Sequence, residues 1–167
     1  MDLTPYIAWI IFTHVLAAFV FVAGHGVSIV AAFLVRRETN RARIGALMDM
    51  SAISVAVATI ALIVLLLAGI VAGIVLGSWS RAWIWVSLVL LVVIGGAMTP
   101  LGIGHFNRIR LAIGQRTRDM KPDQPDPVPA SDEALAAVLA NRRPELLLVI
   151  GGGGFLVILW LMYFKPF

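Results

Sequence analysis

Polar and apolar positions alternate here in long blocks. Residues 3–35, 50–80, 82–107 and 146–164 carry no Asp, Glu, Lys or Arg, which makes uncharged runs of 33, 31, 26 and 19 residues. A helix crossing the hydrocarbon of a bilayer needs about 20 apolar residues, so each run is long enough for one span. The pattern predicts spans at about 7–35, 44–77, 83–105 and 146–164. The fold class expected is all-α, an integral membrane antiparallel four-helix bundle in one domain. The second helix is expected to begin ahead of its apolar run, near Thr39 or Asn40. Pro100 is expected to kink the third, and the short 2–3 connection predicts that those helices are antiparallel neighbours.

One long polar stretch remains, residues 115–143, expected on the cytoplasmic side. Its proline-rich piece, 121–129, reads as extended or mobile. Residues 131–143 read as a short helix, capped by Ser131, with acids in the first turn and Arg142 and Arg143 in the last.

Composition narrows the class. Of 167 residues, 60% are hydrophobic and 13% charged, with mean hydropathy +0.97, which excludes an ordinary soluble domain. There is no cysteine, so a disulfide framework, an iron–sulfur cluster, a thiolate zinc site and covalent c-type haem are all excluded. The basic pI of about 10.3 does not point to nucleic acid, because the basic residues flank apolar runs instead of forming a patch. The first apolar run has no Lys or Arg ahead of it and is too long for a signal peptide, so it is expected to stay as a span.

Charge also orients the chain. The connections 36–43 and 108–143 hold eleven Lys and Arg, whereas the 2–3 turn and the carboxy-terminal tail hold two. The positive-inside rule then puts both termini on the non-cytoplasmic face. Tyr6, Trp9, Trp79, Trp83, Trp85, Trp160 and Tyr163 gather at that outer boundary, as interfacial aromatics do.

The candidate chemistry is the set of ionisable groups within or beside the spans, where such residues are rare and often functional. The chain has three histidines, His14, His25 and His105. His14 and His25 are eleven residues apart, about 16.5 Å of helical rise, so they cannot serve one metal. They share a stripe, His14–Ala18–Phe21–His25–Ser28, expected to face the bundle. Gly24 and Gly26 flank His25 and are expected to clear space beside it. Counting from the inner basic boundary puts Met98 at the depth of His25 and His105 a turn or two lower. A b-type haem held by His25 with Met98 or His105 is therefore geometrically open, while two bis-histidine haems are excluded. The other reading of each imidazole is a hydrogen bond to a backbone carbonyl or serine of a neighbouring helix. Asp49 is expected to orient His105, to relay protons, or to form a salt bridge with Arg43, Arg108 or Arg110. Gly69, Gly73 and Gly77 form a ladder for close helix contact, within the bundle or with a homo-oligomer or larger membrane complex. Gly151 to Gly154 serve close contact or a flat ligand.

The opening of helix 1, His14-Val-Leu-Ala-Ala-Phe-Val-Phe-Val-Ala-Gly24, together with the four-span plan, resembles an uncharacterised bacterial four-helix integral membrane family. That family is related to the copper-resistance D membrane domain and the small membrane protoporphyrinogen oxidase. The resemblance implies a haem-binding fold with His14 as the matched histidine. The oxidase pattern also has a lysine in helix 3; here Lys121 and Lys165 both lie outside the spans. Copper handling draws on outer His and Met, and Met1 and Met162 are the outer methionines, so copper is the lesser cofactor expectation. The expected function is a haem-binding, redox-linked membrane protein. The alternatives are a non-catalytic accessory subunit of a larger complex, or a small-solute or metal transporter.

Overall fold

The computed structural model describes residues 3–167, so Met1 lies outside the described residues. The chain is all-helical, with no strand among the described residues. Its helices are α1 (Ile7–Leu34), α2 (Arg41–Val75), α3 (Ala82–Ala112), α4 (Asp132–Leu139), α5 (Arg143–Leu147) and α6 (Gly154–Phe164). Between α5 and α6 the six residues Leu148–Gly153 wind as a π-helix. Four helical stretches, Thr4–Arg37, Arg41–Val75, Ala82–Ala112 and Asp132–Phe164, are long and apolar enough to cross a membrane.

The starts follow local chemistry. Asn40 caps α2, its side-chain oxygen accepting from the N–H groups of Ala42 (2.9 Å) and Arg43 (3.2 Å). Just before it, the Glu38 carboxylate accepts from the Asn40 and Thr39 N–H groups. The Asn40 bond foremost holds that carboxyl below its usual range, and the Thr39 bond and the Arg43 charge add to it. Ser131 caps α4 by accepting from Ala134 N–H at 3.2 Å.

Helical winding continues through Pro100 to Ala112, with Thr99 Oγ1 donating to the Gly95 carbonyl at 2.7 Å. One expectation needs correcting. The helix opened by Ser131 ends at Leu139, so Arg142 and Arg143 are not in its last turn. Asn141 Oδ1 instead accepts from Arg143 N–H at 2.9 Å, where α5 begins with Pro144 in its first turn. Within the connection 115–130, Arg116 donates to the Lys121 and Gln124 carbonyls and to Asp126.

Pairing follows small residues. Along α1 and α2 the contacts climb one helix as they descend the other. His14 meets Leu65 and Gly69, Gly24 meets Ser54 and Ala58, and Ser28 meets Ser51. A Cβ on Gly24 would lie 2.7 Å from the Ser54 carbonyl oxygen and 3.0 Å from the Ala58 methyl, so the two backbones are nearly in contact. The Ser28 and Ser51 hydroxyls hydrogen-bond at 2.7 Å, both buried. The last span packs on α3 through its glycines, Gly151 against Met98 and Gly154 against Ile94. Although their connection is short, α2 and α3 touch only sparsely. The Trp79 indole folds back onto Gly73 and occupies that notch, with its Nε1 3.1 Å from where a Cβ would stand. The described structure is thus two close helix pairs with a seam between them.

The largest buried apolar cluster lies at one end of this seam. Val35, Ile44, Met48, Ile109, Ala112, Ile113, Leu135 and Leu139 join α1, α2 and α3 to α4. Arg41 laces that end together, donating to the Ala112 carbonyl (3.1 Å), the Ala130 carbonyl (2.7 Å) and Asp132 (2.6 Å). Elsewhere the outer faces stay apolar: Trp9 is 70% exposed, Phe19 71% and Val92 73%.

Candidate functional site

The three histidines have three different environments. His14 Nδ1 lies 2.9 Å from the Leu65 carbonyl oxygen, and because a carbonyl only accepts, Nδ1 carries the proton. Its ring fills the notch at Gly69, where a Cβ would come within 2.9 Å of Cε1. In this structure His14 holds the ends of α1 and α2 together.

His25 is one of two imidazoles with a buried, unpaired ring nitrogen, His105 being the other. The His25 Nδ1 is buried without a hydrogen bond, and the Phe21 carbonyl one turn back interacts with it without reaching hydrogen-bond geometry. The ring stacks at a 38° tilt on Phe21, centroids 4.5 Å apart, and Phe21 in turn meets Phe155 of α6 at 6.5 Å. His25 therefore lies in the seam between the two helix pairs. Of its flanking glycines, Gly26 is open, with nothing within 4 Å of an added Cβ. Gly24 clears no space for a ligand, because α2 already fills it.

Depth follows from these contacts. Phe21 and Phe155 are neighbours, and one turn toward the Arg36–Glu145 end, about 6 Å, lie His25 on one side and Gly151 on the other. Met98 Sδ rests on Gly151, 2.6 Å from where a Cβ would stand. His25 and Met98 thus share a level, with the Met98 thioether turned onto the last span.

His105 belongs to a different place. It is 2% exposed, edge-on to Phe106, and its Nε2 is buried without a partner. The charges around it are those of Arg143, Arg36, Arg108 and Glu145. Arg36 forms a close ion pair with Glu145 Oε1, while Glu145 Oε2 is buried and unpaired. Arg36, one of those charges, lies eleven residues beyond His25, about 16 Å of helical rise. Asp49 is not with His105 either. It pairs with Arg110 at 2.9 Å, and Arg110 also donates to Gln115 at 3.0 Å. The Gln115 amide covers Gly45, where a Cβ would lie 2.5 Å from Nε2.

Of the glycine ladder, Gly69 takes His14, Gly73 takes Trp79, and Gly77 has a positive φ of 60° at the turn after α2. Sequence reasoning did not single out Glu145, Ser51 or the π-helical winding of Leu148–Gly153. Ser51 carried a usable signal, a hydroxyl in an otherwise apolar run. Glu145 was hidden by its position at the edge of the fourth run, where an acid reads as a helix-start residue.

No three or more His, Asp or Glu side chains among the described residues gather as a metal cluster would require. Two open grooves lie on the α1–α2 pair. One is lined by residues including Arg37, Glu38 and Arg43, the other by residues including Leu16, Val57 and Ile60. The buried, unpaired His25 Nδ1 and the Phe21–Phe155 ring pair lie together in the seam, and neither groove includes them. No family model matches the chain, and neither a curated protein nor a solved structure matches it.

Proposed function

We propose that this chain is a multi-pass protein of a bacterial cytoplasmic membrane that binds a b-type haem at His25. In this reading it is an antiparallel four-helix bundle with both termini on the non-cytoplasmic side. The apolar outer faces and the lopsided distribution of Lys and Arg support that placement.

The observation that carries the haem reading is the unpaired His25 imidazole in the seam. A buried polar group without a partner costs about 1–3 kcal/mol, more where no water can reach, so an imidazole kept there calls for a ligand. His25 would supply the axial nitrogen, and Phe21 and Phe155 would flank the macrocycle. Met98, at the same level, is the candidate sixth ligand, reached when its flexible thioether leaves Gly151. When bound, haem supplies one-electron redox chemistry, tuned by its axial ligands and by burial. The resemblance of helix 1 to a haem-binding set supports haem as the cofactor, although the histidine that it matches is His14 and not His25.

The test is an absorption spectrum of detergent-purified protein expressed with haem supplied, oxidised and then reduced with dithionite. The expected result is a Soret band that shifts on reduction and is lost in His25→Ala. The reduced spectrum of Met98→Ala should change if the thioether is the sixth ligand. A colourless protein overturns the haem reading.

A second reading, an accessory subunit of a larger membrane complex, is favoured by one observation. Gly95, Gly96 and Gly102 of α3 have nothing within 4 Å of an added Cβ. Copurification of a colourless protein with a stoichiometric partner in mild detergent would select it.

A further inference from the structure

The inner ends of α1, α3 and α5 meet around a charged cluster that the haem reading does not use. Its centre is His105, buried, with Nε2 lacking any hydrogen-bond partner. Around it stand three guanidiniums, Arg36, Arg108 and Arg143, and one carboxylate, Glu145. Arg36 is committed to Glu145 Oε1, which neutralises that pair. The guanidiniums of Arg108 and Arg143 make no ion pair or side-chain hydrogen bond among the described residues. Arg143 lies across Gly104, with Nη1 3.0 Å from where a Cβ would stand, so the glycine makes room for the guanidinium beside His105.

A half-buried Arg143 without an ion pair, beside a buried imidazole whose Nε2 has no partner, is stabilised when an anion joins them, and the exposed Arg108 stands at the rim of that site. On the bilayer placement above, this cluster sits at the cytoplasmic boundary, the depth of lipid phosphates. Basic pockets between spans on that side bind anionic headgroups. We propose that Arg143, Arg108 and His105 form a binding site for a phosphate group, from an anionic lipid headgroup or free in solution. Arg143 and Arg108 supply charge-assisted donors and His105 supplies Nε2–H. Arg36 keeps the Glu145 charge from repelling the anion. The inference rests on the bilayer placement and is independent of haem.

Full-length protein in zwitterionic detergent is titrated with phosphatidylglycerol, phosphatidylcholine or inorganic phosphate, and native mass spectrometry reads the bound fraction. One phosphatidylglycerol should be retained about tenfold more tightly than phosphatidylcholine, the size of one charge-assisted contact. Arg143→Gln and Arg108→Gln should each weaken it about tenfold, and Arg81→Gln, on the opposite boundary, should leave it unchanged. Binding of inorganic phosphate with the same variant pattern supports the site and assigns a free anion as ligand. Binding of phosphatidylglycerol alone assigns the headgroup. Circular dichroism checks that Arg143→Gln folds, and the exposed Arg108 carries the test if it does not. Equal binding of the two lipids with no phosphate binding, or undiminished binding in both variants, overturns the proposal. Release of the protein from membranes by alkaline carbonate would instead overturn the bilayer placement.

Discussion

Gly24 and Gly26 look equivalent in the sequence, two small residues either side of a histidine, yet they do opposite things. Gly24 faces the α2 backbone, with 2.7 Å between a prospective Cβ and the Ser54 oxygen, whereas Gly26 faces open space. A methyl group at Gly24 must push two helices apart, a cost of about 1–3 kcal/mol. At Gly26 the same methyl should be neutral or gain up to about 1 kcal/mol of helix propensity. Thermal melting in detergent should therefore lower Tm for Gly24→Ala and leave or raise it for Gly26→Ala. Matching shifts would mean that α1 and α2 do not pack as described. That the two glycines differ was not legible, because a glycine's role depends on what stands opposite it. The histidines carry the same lesson. Their presence in spans marked them as candidates, but only the Leu65 carbonyl opposite His14 and the missing partner at His25 separate them.

At the scale of elements, helix starts were legible because they are local. Asn40 and Ser131 cap α2 and α4 through side-chain oxygens two to three residues from the N–H groups they accept. Helix ends and pairings were less so. The first apolar stretch of α4 stops early because Asn141 and Pro144 start another helix, and α2 pairs with α1 while keeping only sparse contact with α3. At the two ends of the polar connection, Arg41 bonds across to two carbonyls and one carboxylate that flank it. Arg41→Ala removes all three bonds, so limited proteolysis within residues 116–130 should speed up by about tenfold or more. The melting of the long helices should change little. An unchanged cleavage rate would show that the connection is held by something other than Arg41.

For the whole molecule, orientation is the testable property. The chain contains no cysteine, so single-cysteine variants report topology against an empty background. Ser80 and Asp123 are both exposed, at the α2–α3 turn and in the polar connection respectively. In intact cells a membrane-impermeant maleimide should label Ser80→Cys, and Asp123→Cys should react only after lysis. The reverse pattern would invert the proposed orientation and move the His105 cluster to the other face.

Span number, span length and the expected orientation are one-dimensional quantities. They depend on how long an apolar run lasts and on which connections hold the arginines, and a bilayer's thickness and surface charge read both directly. The four long apolar helices were accordingly visible in the sequence. Which helices pair, which histidine is satisfied and where Glu145 lies depend on azimuth and on the face each helix meets. Those are relations between positions far apart in the chain, such as Ser28 with Ser51, Met98 with Gly151 and Arg36 with Glu145. Tertiary structure decided them, because close packing selects complementary surfaces that no single run of residues encodes.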